Sequence, residues 1–532
     1  MAKVKINDTE IEVPNGTNMI EVAKLVGEEI PHYCYHQDLS VAGNCRMCLV
    51  DVVSGGKGPD IACNMQARDG LHIRTDTESV VKMRKATMEF LLVNHPLDCP
   101  ICDQSGECRL QDYYMEHGQY DSRGLDPKVG KAKRVDVGSE LVLDAERCVH
   151  CSRCVRFGDE VTHTGELRLM NRGDTTEIGV FPGEHIEHNY QGNLADICPV
   201  GALTGKDFRF QRRVWYLKET PSLCTRCATG CNINVCHQKG EVFRYTPRRN
   251  DAVNKSWMCD YGRASYHEIA SLERLLTASS GGLKVDVARA TADLATLIRD
   301  VGFANVGFVL GNRATNEANW ALLQVARNAG RGARVFQVDG NDPGRGEGGD
   351  DILLSEDKAP NAVGARLLAA HDGNVGDRDA LMEALPALKL LVVLEDDLVG
   401  RLGGLAVPVA YLGAFRNATA KGAAIVLPTA HAAEQDASYT NRDDRVQRCR
   451  CAVPLIGDAQ PAYVAIDRLG AALGAAPGTQ MPAAAFNAMA RAVTRMKGME
   501  FKGLGASGLV LAPEIAPPAP APEASPSPAG AK

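Results

Sequence analysis

Cysteine is the residue with chemistry to do in this 532-residue chain: there are 18, and all but Cys449 and Cys451 fall before residue 260. Cysteines this dense in a reducing compartment are metal ligands or redox groups more often than disulfides, and their spacing decides which. Four groups follow one another. Cys34, Cys45, Cys48 and Cys63 form Cys-x10-Cys-x2-Cys-x14-Cys; Cys99, Cys102 and Cys108 form Cys-x2-Cys-x5-Cys, with His95 just upstream. Cys148, Cys151 and Cys154 sit in RCVHCSRC with Cys198-Pro199 far downstream, and Cys224, Cys227, Cys231 and Cys259 form Cys-x2-Cys-x3-Cys-x27-Cys.

The first spacing is a variant of the plant-type loop that closes over a 2Fe-2S cluster, and Gly43 suits backbone that must approach sulfur closely. The second group is one thiolate short of a full set, so His95 is expected to complete a 4Fe-4S site. Imidazole in place of thiolate makes such a centre less negative by one charge, which by itself favours the reduced state. The third group resembles a bacterial two-cluster ferredoxin, in which the fourth cysteine of each run serves the other cluster. Here one 4Fe-4S set is intact, whereas the other falls on Gly158, His188, Gln191 and Leu194. The fourth spacing resembles the 4Fe-4S domain that opens molybdopterin oxidoreductases. Fifteen cysteines and His95 make sixteen ligands, for one 2Fe-2S and three 4Fe-4S clusters, or about 14 irons per chain. Cys236 reads as a small buried hydrophobe, and Cys449 with Cys451 lack a second pair to form a metal site.

These ligands need small modules to hold them. KVKI and IEV alternate as short strands around Asn7-Asp8, followed by a helix from about Thr17 to Glu29. Beyond residue 275 apolar runs (NVGFVLG, ARVFQVDG, LKLLVVLED, GAAIVLP) alternate with helical stretches such as NEANWALLQVARNAGRG, which predicts an α/β domain with a mainly parallel sheet. Gly344, Gly346 and Gly349 formally match a dinucleotide fingerprint, but Asp350-Asp351 would repel a pyrophosphate and no helix is expected to begin there. The last twenty residues hold seven prolines and are expected to form a disordered tail.

The order of modules resembles the family of the 75 kDa iron-sulfur subunit of NADH:quinone oxidoreductase, respiratory complex I, motif by motif over residues 1–275. That resemblance implies a multidomain α/β and α+β chain. Its parts would be a β-grasp 2Fe-2S ferredoxin-like domain (1–78), a one-His/three-Cys 4Fe-4S helical module (79–120) and a bacterial ferredoxin-like domain with one 4Fe-4S cluster (138–210). A molybdopterin-oxidoreductase-type 4Fe-4S domain (217–273), a reduced α/β domain (275–510) and the tail (511–532) complete it. The segment IVLPTAHAAEQDASYTNRDDRVQ is similar to part of the molybdopterin-oxidoreductase-like domain of that family, but Tyr261 stands where pterin enzymes typically place a lysine. No molybdopterin is therefore expected.

The resemblance also implies electron relay from an NADH-oxidising flavoprotein toward quinone, among the other peripheral-arm subunits. The first three centres would lie on the wire and the fourth off it, and no catalytic, NADH or quinone site is expected on this chain. Alternatives are a relay subunit of an NAD-linked hydrogenase or formate dehydrogenase, and a non-catalytic iron-sulfur scaffold or redox sensor; an iron-only hydrogenase would need more cysteines in the C-terminal half. A net charge of -7 from 59 basic and 66 acidic residues argues against a nucleic-acid partner. MAKVKINDTE carries no apolar signal core, and no stretch approaches the roughly 18 apolar residues of a spanning helix. The chain is expected on the cytoplasmic side of the bacterial inner membrane, bound only through partners.

Overall fold

The protein is described here from a computed structural model, which covers residues 1–513 apart from 57, 125, 329–331, 341–345, 347, 476–477 and 479. The proline-rich stretch from residue 514 and Gly344 lie outside the described residues. Residues 1–78 build a five-stranded sheet in the spatial order Thr9–Val13, Ala2–Ile6, Leu71–Arg74, Leu49–Val52, Gly58–Ile61. Ala2–Ile6 runs antiparallel to Thr9–Val13 and parallel to Leu71–Arg74. Alternation puts Ala2, Val4 and Ile6 inward, where they pack with Met19, Ile20, Val22 and Ala23 of one helix.

That helix is Met19–Leu25, shorter than the expected Thr17–Glu29. Its start is set by Asn18, whose side chain accepts from the Ile20 N–H. Its end is set by Gly27 at φ 79°: the Gly27 N–H donates to Lys24 O and the Glu28 N–H to Ala23 O, the Schellman pair of bonds that closes a helix.

Helix Glu78–Leu92 starts the second module and buries only Val80, Arg84 and Met88, a single stripe four residues apart. Arg84 donates to the carbonyls of Thr75 and Leu49 at 3.0 and 3.1 Å, tying the helix to the first sheet. Helix Arg109–His117 follows. The third module sets helices Arg153–Glu160 and Gly192–Ile197 beside a sheet of Leu203–Gly205, Leu141–Leu143 and Val135–Asp136. In the fourth, the antiparallel strands Lys218–Leu223, Asn232–Gln238 and Glu241–Pro247 carry the chain from the Cys224 loop back toward Cys259.

The C-terminal domain has an eight-stranded sheet with five consecutive parallel ladders, from Ile425–Pro428 through Val409–Gly413, Leu390–Leu394, Val306–Leu310 and Arg334–Gln337 to Val375–Gly376. A short antiparallel hairpin, Ser279–Ser280 with Leu283–Lys284, extends one edge. Both faces are covered, so the central strands Val306–Leu310, Leu390–Leu394 and Val409–Gly413 are buried along their whole length. Phe308, Val392, Leu394 and Leu412 pack with Leu294, Ile298, Leu322, Ile466 and Phe486 of the longer helices, while Val309, Leu391 and Val393 pack oppositely with Leu381, Leu398 and Ala420. Among the described residues, no helix is long and apolar enough to cross a membrane.

Candidate metal centres

None of the eighteen cysteines forms a disulfide, and the four predicted groups are brought together to different degrees. In the first, the Cys34 thiol hydrogen-bonds with those of Cys45 and Cys63, and Cys48 with Cys63. The sharing holds Cys34 and Cys48 below the ordinary thiol range and pushes Cys45 and Cys63 above it. Backbone N–H groups of Asn44 and Cys45 point at the Cys34 sulfur. Gly43, with φ of 62°, turns the chain just before these donors, and a Cβ there would lie 3.0 Å from Ile61 Cδ1.

Around the second set, His95 Nδ1 is buried with no hydrogen-bond partner. Burial, then the Lys128 and Arg147 charges, push the imidazole down to about 4, leaving it neutral with a lone pair to give. Burial raises the Cys102 thiol and pushes Cys108 up to about 11, whereas Cys99 is exposed. The loop turns at Gly106 (φ 95°), where a Cβ would meet the Trp215 ring at 2.6 Å.

The third set gathers around a single space, with Cys151 and Cys154 buried and Cys148 and Cys198 half-buried. Cys148, Cys151, Cys154 and Cys198 line one small apolar cavity with Leu143, Ile178, Val200 and Leu203. His150 and Ser152, neither of them glycine, take φ of 50° and 59° to wrap the loop, a conformation that costs about 1–2 kcal/mol per residue. His150 N–H donates to Cys148 Sγ at 3.3 Å, and the N–H groups of Val200, Ala202 and Leu203 face the Cys198 sulfur. Burial pushes Cys151 up to about 11 and raises the other three.

In the fourth set all four cysteines are buried. Gly262 lies against two of them: a Cβ there would stand 3.1 Å from Cys224 Sγ and 3.3 Å from Cys259 Sγ, and its N–H donates to Cys259 Sγ at 3.3 Å. Tyr261 is faced by Arg226 at 4.1 Å and by the buried Lys358 at 5.8 Å, so a lysine from a distant segment stands over the ring that occupies the expected lysine position.

Buried thiols that resist ionisation, donors aimed at sulfur and an orphaned imidazole nitrogen are the chemistry of sites completed by metal, because bound metal makes the thiolate form the stable one. No three His, Cys, Asp or Glu among the described residues converge as ligands of one mononuclear ion would. Cluster ligands bind different irons of a cage and need not converge on one point.

Other candidates fall elsewhere. His188 Nδ1 accepts from Tyr190 N–H at 3.1 Å and its ring lies beside Phe157, which packs edge-on to Trp257. Cys236 is fully buried in a strand. Cys449 is buried and Cys451 exposed, each sulfur directed to a different backbone carbonyl. Asp350 accepts from Tyr190 Oη and from the N–H groups of Ile352 to Leu354, closing a turn, while Gly349 is required because a Cβ would strike backbone at 2.7 Å.

Contacts between sets escaped the sequence reading. Gly201 lies so close to Cys102 that a Cβ would stand 2.3 Å from its sulfur, and Arg109 N–H donates to Pro199 O at 3.0 Å, joining second and third sets. Asp38, between ligands of the first set, accepts from Ser256 Oγ at 2.6 Å and pairs with Arg249, and His36 stacks on Trp257 at 5.1 Å, joining first and fourth.

Five family profiles match the chain. They are described as a 2Fe-2S iron-sulfur cluster binding domain (1–78), an NADH-ubiquinone oxidoreductase-G iron-sulfur binding region (84–123), and an NADH-quinone oxidoreductase subunit 3 ferredoxin-like domain (138–204). The other two are an NADH-ubiquinone oxidoreductase NDSU1/NuoG-like 4Fe-4S domain (217–267) and molybdopterin oxidoreductase (302–472). The chain is thus multidomain, with 2Fe-2S, 4Fe-4S and molybdopterin-oxidoreductase-type domains. It is 37% identical over 62% of its length to the NADH-quinone oxidoreductase G-type subunit of Rickettsia conorii, covering 49% of that protein, and 37% identical over 62% to that of Streptomyces coelicolor, covering 40%. Against the corresponding protein of Mycobacterium tuberculosis the identity is 36% over 62%, covering 42%. The chain therefore spans half or less of the length of these curated relatives. A crystal structure of an NAD+-reducing [NiFe]-hydrogenase matches 40% of this chain and 91% of that one, at 28% identity and a TM-score of 0.36.

Proposed function

We propose that this chain is the iron-sulfur relay subunit of an NADH:quinone oxidoreductase, passing electrons from an NADH-oxidising flavoprotein toward quinone. The observation that carries the reading is the enclosure of Cys148, Cys151, Cys154 and Cys198 around one apolar cavity, between a four-cysteine loop on one side and the His95 set on the other. The resident groups are one 2Fe-2S cluster on Cys34, Cys45, Cys48 and Cys63 and three 4Fe-4S clusters. The latter sit on His95, Cys99, Cys102 and Cys108, on Cys148, Cys151, Cys154 and Cys198, and on Cys224, Cys227, Cys231 and Cys259. When bound, such clusters take up and release single electrons.

The chain's own residues do three things toward that end. Thiolates and one imidazole hold the irons; N–H groups such as those of His150, Ala202 and Gly262 stabilise negative charge on sulfur; apolar walls at Leu143, Ile178 and Leu203 exclude water. The Gly201–Cys102 contact and the bonds from helix Arg153–Glu160 to the Cys34 loop support the order first, third, second. Cys99 is exposed and lines one groove with the exposed Val93 and Leu97, an apolar surface suited to the accepting subunit. The first module reads as a β-grasp domain, and the C-terminal α/β domain reads as a scaffold without pterin. The assembly would sit on the cytoplasmic face of the bacterial inner membrane, held there by partner subunits.

Anaerobic iron and sulfide analysis with electron paramagnetic resonance of the assembled complex tests the reading. About 14 irons per chain and cluster signals that appear on adding NADH are expected. His95→Ala should alter one 4Fe-4S signal and leave the 2Fe-2S signal in place. Metal that NADH cannot reduce in the intact assembly would point to a scaffold instead.

A further inference from the structure

Helix Arg153–Glu160 begins inside the third ligand set, and its first turn reaches into the first. Arg153 Nη1 donates at 3.1 Å to the carbonyl of Ile197, the residue before Cys198, and its Nη2 donates at 2.5 Å to that of Tyr35, the residue after Cys34. One turn on, Arg156 Nη2 donates to the carbonyls of Cys34 at 2.5 Å and Cys151 at 3.4 Å, while its Nη1 donates to Ser40 O. Both guanidiniums therefore touch backbone beside ligands of two different sets.

What they lack is a counter-anion. Among the described residues neither forms an ion pair with a carboxylate, and Arg153 Nε is buried with no partner. Neutral carbonyls do not offset the removal of a full positive charge from water, and a buried cation persists where something anionic lies close. The nearest candidates are the ligand sets themselves: Arg153 stands between Cys151 and Cys154 in the chain, and its guanidinium bonds the carbonyls of the residues next to Cys198 and Cys34. A 2Fe-2S or 4Fe-4S centre held by four thiolates carries net negative charge that grows by one on reduction.

We propose that Arg153 is the shared counter-cation of the first and third iron-sulfur centres, and that this one positive charge, held in place with the help of Arg156, raises the reduction potentials of both together. The inference rests on the ligand assignments of the proposed function. Arg153 acts as a positioning and electrostatic residue; no thiolate or iron is bound by it.

The test is an anaerobic redox titration of the full, cluster-loaded chain, with the two midpoints read by electron paramagnetic resonance. Arg153→Gln should lower both midpoints, Arg153→Lys should keep both nearer to their original values than Gln does, and Arg289→Gln, on an exposed helix face, should move neither. The inference is overturned if Arg153→Gln moves one midpoint or none, or if Lys shifts both as far as Gln. Should Arg153→Gln fail to assemble a centre, Arg156→Gln, which removes the neighbouring charge of the same joint, is titrated against the same outcomes. The unsubstituted chain separates the two failures: without both signals the ligand assignments fail, whereas with both signals and an unmoved Arg153→Gln only the counter-cation does.

Discussion

Residues 1–273 and the α/β domain beyond them are stabilised by different means. The C-terminal domain buries an almost continuous apolar core on two faces of one sheet. The N-terminal region is cut into small sheets whose cores include the cysteines themselves, as with Cys48 and Cys63 in the first module and Cys224, Cys231 and Cys259 in the fourth. Among the described residues, ten of the twelve non-glycine residues with positive φ precede residue 260, and Arg46, His150 and Ser152 sit in the short loops between neighbouring cysteines of the first and third sets. Strain and buried thiols accumulate in the N-terminal region, so the proposed ligand sets predict that this half folds on its clusters and the other half without them.

Removing the iron should break the comparison most visibly. Anaerobic chelation is expected to lower hydrogen-exchange protection around Cys34–Cys63 and Cys148–Cys198 at least about a hundredfold, near 2.7 kcal/mol. Strands Val306–Leu310 and Leu390–Leu394 should stay protected. Equal loss in both halves would refute the division. A narrower break is Gly201→Ala, which places a methyl 2.3 Å from Cys102 Sγ. Overpacking of that kind costs about 1–3 kcal/mol. It should cost the second centre, about four irons by analysis, while the 2Fe-2S signal persists.

The cysteine groups on which the proposed ligand sets rest were legible because spacing is local, and the parallel sheet because central strands buried on both faces are largely apolar runs. What the sequence did not disclose is contact between distant segments. Nothing about Gly201 suggests that it lies against Cys102, and Asp38 reads as a loop acid until Arg249 and Ser256 meet it. Arg153 and Arg156 carried a faint signal, two basic residues one turn apart directly behind the cysteine run, but their targets are carbonyls of another module. The N-terminal helix came out shorter than its apolar pattern because Asn18 and Gly27 override the pattern at either end.

The smallest effect sharpens the contrast from the other side, since it concerns a group that no cluster touches. Glu317, fully buried in helix Asn316–Asn328, accepts from the N–H and hydroxyl of Ser438, both at 2.8 Å, and burial pushes its carboxyl up to about 7. An unfolded glutamate titrates near 4.5. Between those values the folded state binds more protons, so stability falls as pH rises through that window and stays low above it. The loss at pH 8 is on the order of 3 kcal/mol. Glu317→Gln keeps the shape without the charge and should flatten the dependence, with hydrogen exchange of Asn316–Asn328 nearly equal at pH 6 and pH 8 once corrected for intrinsic rates. Retention of the full pH dependence in that variant would assign the titration to another group.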